Sequence, residues 1–294
     1  MMPFKYEGDL YRPPSEAKSL ILQATIGCSH NRCTFCSMYK RKQFRLKAVE
    51  EIKGEIKAAA AYYPRTKRVF LADGNALVIP TEALLEILET LDSAFPALER
   101  VSLYGNTQDL IEKNVGDLIE LKNNKLGIIY LGLESGSSSV LKEIQKGVTP
   151  DQMIEGSNKA KAAGIPLSVT ILNGIAGVEG SEEHAEATAG MLNRIDPEYL
   201  GLLSLITVPG TPIHRSFEDG LLTELNPWQL LEEIRIMILN LSLSDCIFRA
   251  NHASNYLPLK AVLSRDKQAV LSALDTVLEG KAPHSIKSEF MRGI

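Results

Sequence analysis

The feature that most constrains this chain is an alternation of short apolar runs with helix-period segments. Ser19–Ile26 reads as a strand rich in β-branched residues, and Leu46 to Tyr63 as a helix with Val49, Ile52, Ile56 and Ala59 on one face. Pro64 ends that helix. Further strands are expected at Lys67–Ala72, Arg100–Tyr104, Ile128–Leu133, Pro166–Leu172 and Tyr199–Val208. The intervening helices are expected at Thr81–Leu91 (apolar Leu84, Leu85, Leu88 and Leu91), Val115–Lys122, Ser139–Lys146, Thr149 to Ala163 and Ser181–Arg194, with Ser181 as a cap. Six strand–helix units predict a parallel sheet with helices outside. A doubly wound sheet and a barrel both fit. Polar and glycine-bearing turns follow every strand, and barrel sites are built at that end, so the expectation is an α/β barrel.

Within that frame, one loop carries unusual chemistry. Cys28, Cys33 and Cys36 lie within nine residues in the spacing C-x4-C-x2-C, just past the first strand. Three such close thiols cannot all pair as disulfides and suit a soft metal centre. A zinc site completed by His30 or a distant ligand is one reading. A four-iron cluster with one iron left open is the other.

The loop resembles the cluster loop of the radical S-adenosylmethionine (SAM) superfamily, whose usual spacing is C-x3-C-x2-C with an aromatic before the last cysteine. Phe35 matches that aromatic, and the first interval is longer by one. The turns after later strands carry the resemblance further. Asp73-Gly74-Asn75 stands where the family has a Gly-Gly-Glu-like element that holds the methionine ammonium. Leu131-Gly132-Leu133-Glu134-Ser135-Gly136 resembles a Gly-Leu-Glu-Ser-Gly signature whose acid meets the ribose. Gly174-Ile175-Ala176-Gly177 resembles a Gly-x-Ile-x-Gly element beside the adenine. Pro209-Gly210-Thr211-Pro212 resembles a turn of members like oxygen-independent coproporphyrinogen oxidase. No arginine or lysine lies in Ser168–Asn173 to meet the SAM carboxylate, so Ser168, Thr170 or Asn173 is the expected substitute.

The resemblance, spanning residues 19–215, implies a partial (β/α)6 TIM-like barrel. Its expected organisation is an N-terminal arm at 1–18, the barrel at 19–225 and a C-terminal helical extension at 226–294. That extension holds a helix opened by Asn226-Pro227, a possible seventh strand at Cys246–Arg249 and a last helix from Arg265 to Leu278. It implies a [4Fe-4S] cluster on Cys28, Cys33 and Cys36 that reductively cleaves SAM to a 5′-deoxyadenosyl radical, which takes hydrogen from a small or medium-sized organic substrate. Cofactor contacts are expected from Phe35, Asp73, Gly74, Asn75, Glu134, Ser168, Asn173, Gly174, Gly177, Pro209 and Gly210. Substrate contacts are expected from Asn106 and from the polar cluster His252, Asn255 and Tyr256. The bland reading of that cluster is a loop satisfying its own backbone. Cys246, in an apolar run, reads as core.

Composition excludes more than it assigns. The net charge of −4 gives no global case for nucleic acid or an anionic membrane. No segment approaches the ~20 apolar residues of a membrane span, and the N-terminus has no apolar signal core. A cytoplasmic, oxygen-sensitive enzyme fed by an electron donor such as flavodoxin or ferredoxin is expected. With four cysteines in all, a second cysteine-ligated cluster has no ligands. The rival readings are a non-catalytic iron–sulfur or haem-handling chaperone and a zinc-binding barrel.

Overall fold

The computed structural model describes residues 4–280 and 286–293. The strands in chain order are β1 (Leu20–Gln23), β2 (Thr25–Ile26), β3 (Arg45–Leu46), β4 (Arg68–Ala72), β5 (Arg100–Gly105), β6 (Leu126–Glu134), β7 (Leu167–Asn173), β8 (Tyr199–Ser204), β9 (Ile247–Ala250) and β10 (Leu259–Val262). The α-helices are α1 (Val49–Tyr62), α2 (Thr81–Ala94), α3 (Thr107–Glu112), α4 (Val115–Asn123), α5 (Ser138–Glu143), α6 (Pro150–Ala162), α7 (Gly177–Ile195), α8 (Pro212–Glu218), α9 (Pro227–Asn240) and α10 (Leu263–Leu278). Two compact units form: one from Met1–Asn31, Cys36–Leu131 and Glu155–Leu167, the other from Arg32–Phe35, Gly132–Ile154 and Ser168–Ile294.

In the first unit β1, β4, β5 and the first part of β6 lie side by side, all parallel. Leu20 is opposite Val69, Val69 opposite Val101, and Leu103 opposite Ile129. Val69 to Ala72 are all fully buried, the unbroken apolar run expected of a parallel strand covered on both faces. Helix α2 buries Leu84, Ile87, Leu88 and Leu91, a stripe at i, i+3, i+4 and i+7. Ile87, not Leu85, completes that stripe. The short ladder β2–β3 (Thr25 opposite Leu46, Ile26 opposite Arg45) zips together the two ends of the cysteine loop. Leu46 therefore belongs to a strand, and α1 starts at Val49.

The N-terminal segment is anchored. A single 3-10 turn, Pro14–Glu16, drops Glu16 to full burial. Its carboxylate accepts from Arg100 (2.6 Å) and from the Tyr130 hydroxyl (2.7 Å). Tyr130 in turn stands edge-on to Phe70 and Tyr104, giving an aromatic trio on one face of the unit's sheet.

In the second unit β7, β8 and β9 are parallel, and β10 returns antiparallel to β9. The seventh strand expected at Cys246–Arg249 is β9, and β10 is a strand the apolar pattern did not announce. Along β7 full burial alternates with half-burial, so Leu167, Val169, Ile171 and Asn173 share one face. Helices α7 and α9 pack together, Ala185, Ala189 and Leu192 from one and Leu230, Ile234 and Ile238 from the other being buried. Cys246 is buried, and desolvation raises its thiol pKa to about 12. No helix among the described residues is long and apolar enough to cross a membrane.

Candidate active site

At the end of β4 the turn Asp73-Gly74-Asn75 is pressed against the start of the cysteine loop. The Gly74 N–H donates to the Gly27 carbonyl at 3.1 Å. A Cβ on Gly74 would stand 2.6 Å from both Cα and Cβ of Cys28, so only glycine allows this approach. Asn75 is fully buried and clamps Ser29: its Oδ1 accepts from the Ser29 N–H (3.0 Å), and its Nδ2 donates to the Ser29 hydroxyl (2.9 Å) and to Asp109 (3.0 Å).

Asp73 is fully buried too. Its Oδ2 accepts from Lys42 (2.6 Å), from the Gly27 N–H (3.0 Å) and from Gln23 (3.3 Å). Its Oδ1 is buried with no hydrogen-bond partner among the described residues. Tyr39 is nearby, its hydroxyl pKa pushed far up by burial and by Asp73. Asn106 caps α3 in a reciprocal box with Asp109, and its Nδ2 lies 4.0 Å from Cys28 Sγ. Its place is beside the cysteine loop, in a structural role as well as within reach of the thiol.

In the second unit the segment holding Cys33 and Phe35 is fixed through Thr34, whose N–H donates to Ile144 O (3.0 Å) and whose carbonyl accepts from Ile213 (3.3 Å). Glu134 closes β6 in the left-handed region (φ 69°), a strained conformation for a residue with a side chain. Helix α5 stops at Glu143, short of the expected Lys146. Lys146 instead turns back to Glu134 at 3.0 Å, both side chains being largely buried.

The turn after β7 is equally built. Asn173 donates to Leu230 O (3.1 Å), while its Oδ1 is buried with no partner among the described residues. Gly174 has φ 83° and donates its N–H to Glu233 at 2.6 Å. Gly177, at φ 65°, opens α7, so Ser181 is inside the helix and not its cap. Gly210 (φ 88°) sits in an exposed turn beside Pro209, with nothing within 4 Å of where a Cβ would be. Ser168 sits near the start of β7, five residues and roughly 16 Å before Asn173, away from the turn.

The expected substrate cluster is largely engaged with its own unit. Asn255 is fully buried, its Nδ2 donating to Leu202 O (2.7 Å) and its Oδ1 accepting from Ser204 (2.9 Å). Tyr256 bonds Glu289 through its hydroxyl and lies under the Arg292 guanidinium, 4.4 Å from the ring centre. His252 is half-buried, paired with Ser254 (3.0 Å), its pKa lowered by burial and by Lys287.

The donor set fits the cofactors the sequence implies. No disulfide links the cysteines, and all three loop cysteines are partly exposed. Among the described residues no three His, Cys, Asp or Glu side chains already converge as a metal site. The buried, open Asp73 Oδ1 suits an ammonium donor, and Asn173 Oδ1 suits a second polar edge. Sequence reasoning missed Lys42, Lys146, His184, Glu233 and Asp109. Lys42 belongs to the basic run Lys40-Arg41-Lys42, which reads as solvated; the other four carry no local signal.

Comparison with known proteins agrees with this chemistry. The family model described as the radical SAM superfamily matches residues 22–190. A putative methylthiotransferase of Methanocaldococcus jannaschii is 24% identical over 54% of this chain and 36% of its own length. A tRNA-2-methylthio-N(6)-dimethylallyladenosine synthase of Chlorobium phaeobacteroides is 28% identical over 74% of this chain and 48% of its own. The chain thus spans between a third and a half of the length of these relatives. Among solved structures, coproporphyrinogen III oxidase from Escherichia coli superposes with TM-score 0.60 at 15% identity, covering 75% of this chain and 51% of that one. Methylornithine synthase does so with TM-score 0.53 at 16% identity, covering 76% and 63%. These likenesses show the fold, the α/β class with mostly parallel strands that the strand–helix rhythm implied.

Proposed function

The chain belongs to the radical SAM superfamily, and on that premise we propose that Cys28, Cys33 and Cys36 hold a [4Fe-4S] cluster that works on SAM. When bound, these two groups supply a 5′-deoxyadenosyl radical that takes a hydrogen atom from a small or medium-sized organic substrate. The observation that carries the reading is the Asp73-Gly74-Asn75 turn. It touches Cys28 as only a glycine can, and beside that contact it presents a buried carboxylate oxygen with no partner among the described residues.

The chain's own residues bind and orient. Lys42 holds Oδ2 of Asp73 at 2.6 Å, which leaves Oδ1 for the methionine ammonium. Glu134 meets ribose hydroxyls, steadied by Lys146. Asn173, Gly174 and Gly177 offer amide and backbone edges to the adenine side. Residues 19–225 form the catalytic module, and 226–294 support it. A low-potential carrier such as flavodoxin or ferredoxin supplies electrons in a reducing cytoplasm.

Anaerobically reconstituted protein is expected to carry about four iron and four sulfide per chain. After reduction it should release 5′-deoxyadenosine and methionine from SAM. Alanine at any of the three loop cysteines abolishes the cluster, whereas Cys246→Ala keeps it. Gly74→Val should weaken SAM binding at least tenfold. Stoichiometric zinc in place of iron, or cluster-replete protein that neither binds nor cleaves SAM, overturns the reading.

A further inference from the structure

Behind the turns after β6 and β7 lies a buried polar network that the proposed function does not use. Helix α7 contributes His184 and helix α9 contributes Glu233, both fully buried. His184 Nδ1 meets the Ser135 hydroxyl at 2.8 Å, and Thr188, one turn along α7, accepts from the Gly136 N–H at 2.8 Å. On the other side Glu233 Oε1 accepts from the Gly174 N–H at 2.6 Å, and Oε2 from the Ser181 hydroxyl at 2.5 Å. His184 Nε2 and Glu233 Oε1 face each other at 3.6 Å. Gly136 is wedged as well: a Cβ there would stand 2.6 Å from Thr188 Cα.

We infer that His184 and Glu233 are positioning residues that brace the Glu134-Ser135-Gly136 turn and the Gly174–Gly177 turn so that both address one SAM molecule. The inference rests on the SAM-binding reading above. Each turn is held by a side chain from a helix, and those two side chains abut. Neither turn can shift without disturbing the contact between them. A Ser135 hydroxyl that donates to Nδ1 leaves the ring proton on Nε2, which stands 3.6 Å from Glu233 Oε1 and has no hydrogen-bond partner among the described residues. Burial lowers the His184 pKa to about 4 and raises that of Glu233 to about 7, so the ring is neutral near pH 7. A buried, half-satisfied arrangement of this kind is expensive for the fold alone, since a Leu–Leu contact between α7 and α9 would pack without desolvating a carboxylate.

The test is SAM affinity of cluster-loaded protein by anaerobic calorimetry, well below the melting temperature of every variant. Glu233→Ala and His184→Ala should each weaken SAM at least tenfold. Glu233→Gln retains an acceptor for the Gly174 N–H and should stay within about threefold of wild type. The double alanine variant should be no more than about threefold worse than the weaker single variant, because both act through one brace. Alanine variants that bind SAM like wild type, with only the melting temperature lowered, reduce the pair to a structural role and overturn the inference. Single losses that multiply in the double variant overturn the coupling. If wild-type cluster-loaded protein does not bind SAM, the functional reading itself fails and the inference goes with it.

Discussion

Asp109 shows how a carboxylate several bonds from the chemistry can govern the cysteine loop. It accepts from the Asn106 N–H (2.8 Å) and from Asn75 Nδ2 (3.0 Å), the two amides that touch Cys28 and Ser29. Burial dominates its environment and raises its pKa to about 6, while these hydrogen bonds pull the other way. Folding therefore favours the protonated form. Stability from this group is fully present below the unfolded value of about 4 and is lost as pH rises through about 6. The loss is on the order of 3 kcal/mol, from a shift of about two pKa units. Asp109→Asn keeps an acceptor for Asn106 and does not titrate. Denaturant melts between pH 4 and 7 should show a downward slope in wild type that is absent in the variant. Equal slopes would mean that other groups dominate this window.

Helix α9 shows what an element contributes. Asn226 accepts from the Trp228 and Gln229 N–H groups (2.9 and 3.0 Å), and Gln229 accepts from the Asn226 N–H (2.9 Å). Pro227 follows at the first helical position, where its missing N–H is no loss. These local signals are plain in the sequence, and the helix starts where they put it. The buried stripe Leu230, Leu231, Ile234 and Ile238 fixes its rotation, and with it the inward direction of Glu233. Asn226→Ala removes the cap and should cost about 1 kcal/mol in urea unfolding, with no change in cluster content. A cost near zero would show that packing against α7 alone sets where α9 begins. By contrast, Ser181 carries the residue type of a cap and is not one, because α7 begins four residues earlier at Gly177 and the hydroxyl is taken by Glu233. A cap motif is a preference of a few tenths to about 2 kcal/mol, small enough for tertiary partners to override.

At the scale of the whole molecule, the N-terminal segment closes one face of the first unit. Glu16 joins Ser19, Arg100 and Tyr130, residues up to 114 positions away. Its removal by Glu16→Ala leaves the part-buried Arg100 guanidinium, whose Nε already has no partner among the described residues, without its carboxylate. Broken buried pairs of this kind cost about 3 kcal/mol or more. The expected outcome is a melting temperature lower by several degrees with iron content and SAM affinity retained. A variant that melts like wild type would show the arm to be dispensable.

The sequence by itself determined the strand–helix alternation, the chemistry of the cysteine loop and the glycine turns at strand ends. Each is a short-range property: period along the chain, spacing within nine residues, or the backbone freedom a glycine supplies. Only the tertiary structure decided that Lys42 reaches Asp73, that Lys146 turns back to Glu134, that Asn255 faces inward, and that His184 meets Glu233. The reason is physical. A charge or amide far along the chain is solvated or desolvated according to what packs over it, and that depends on chain reversals of tens of residues which no local pattern records. Ser168 shows the same limit from the other side, since its residue type does not record its register, which puts it near the start of β7, away from the turn after Asn173.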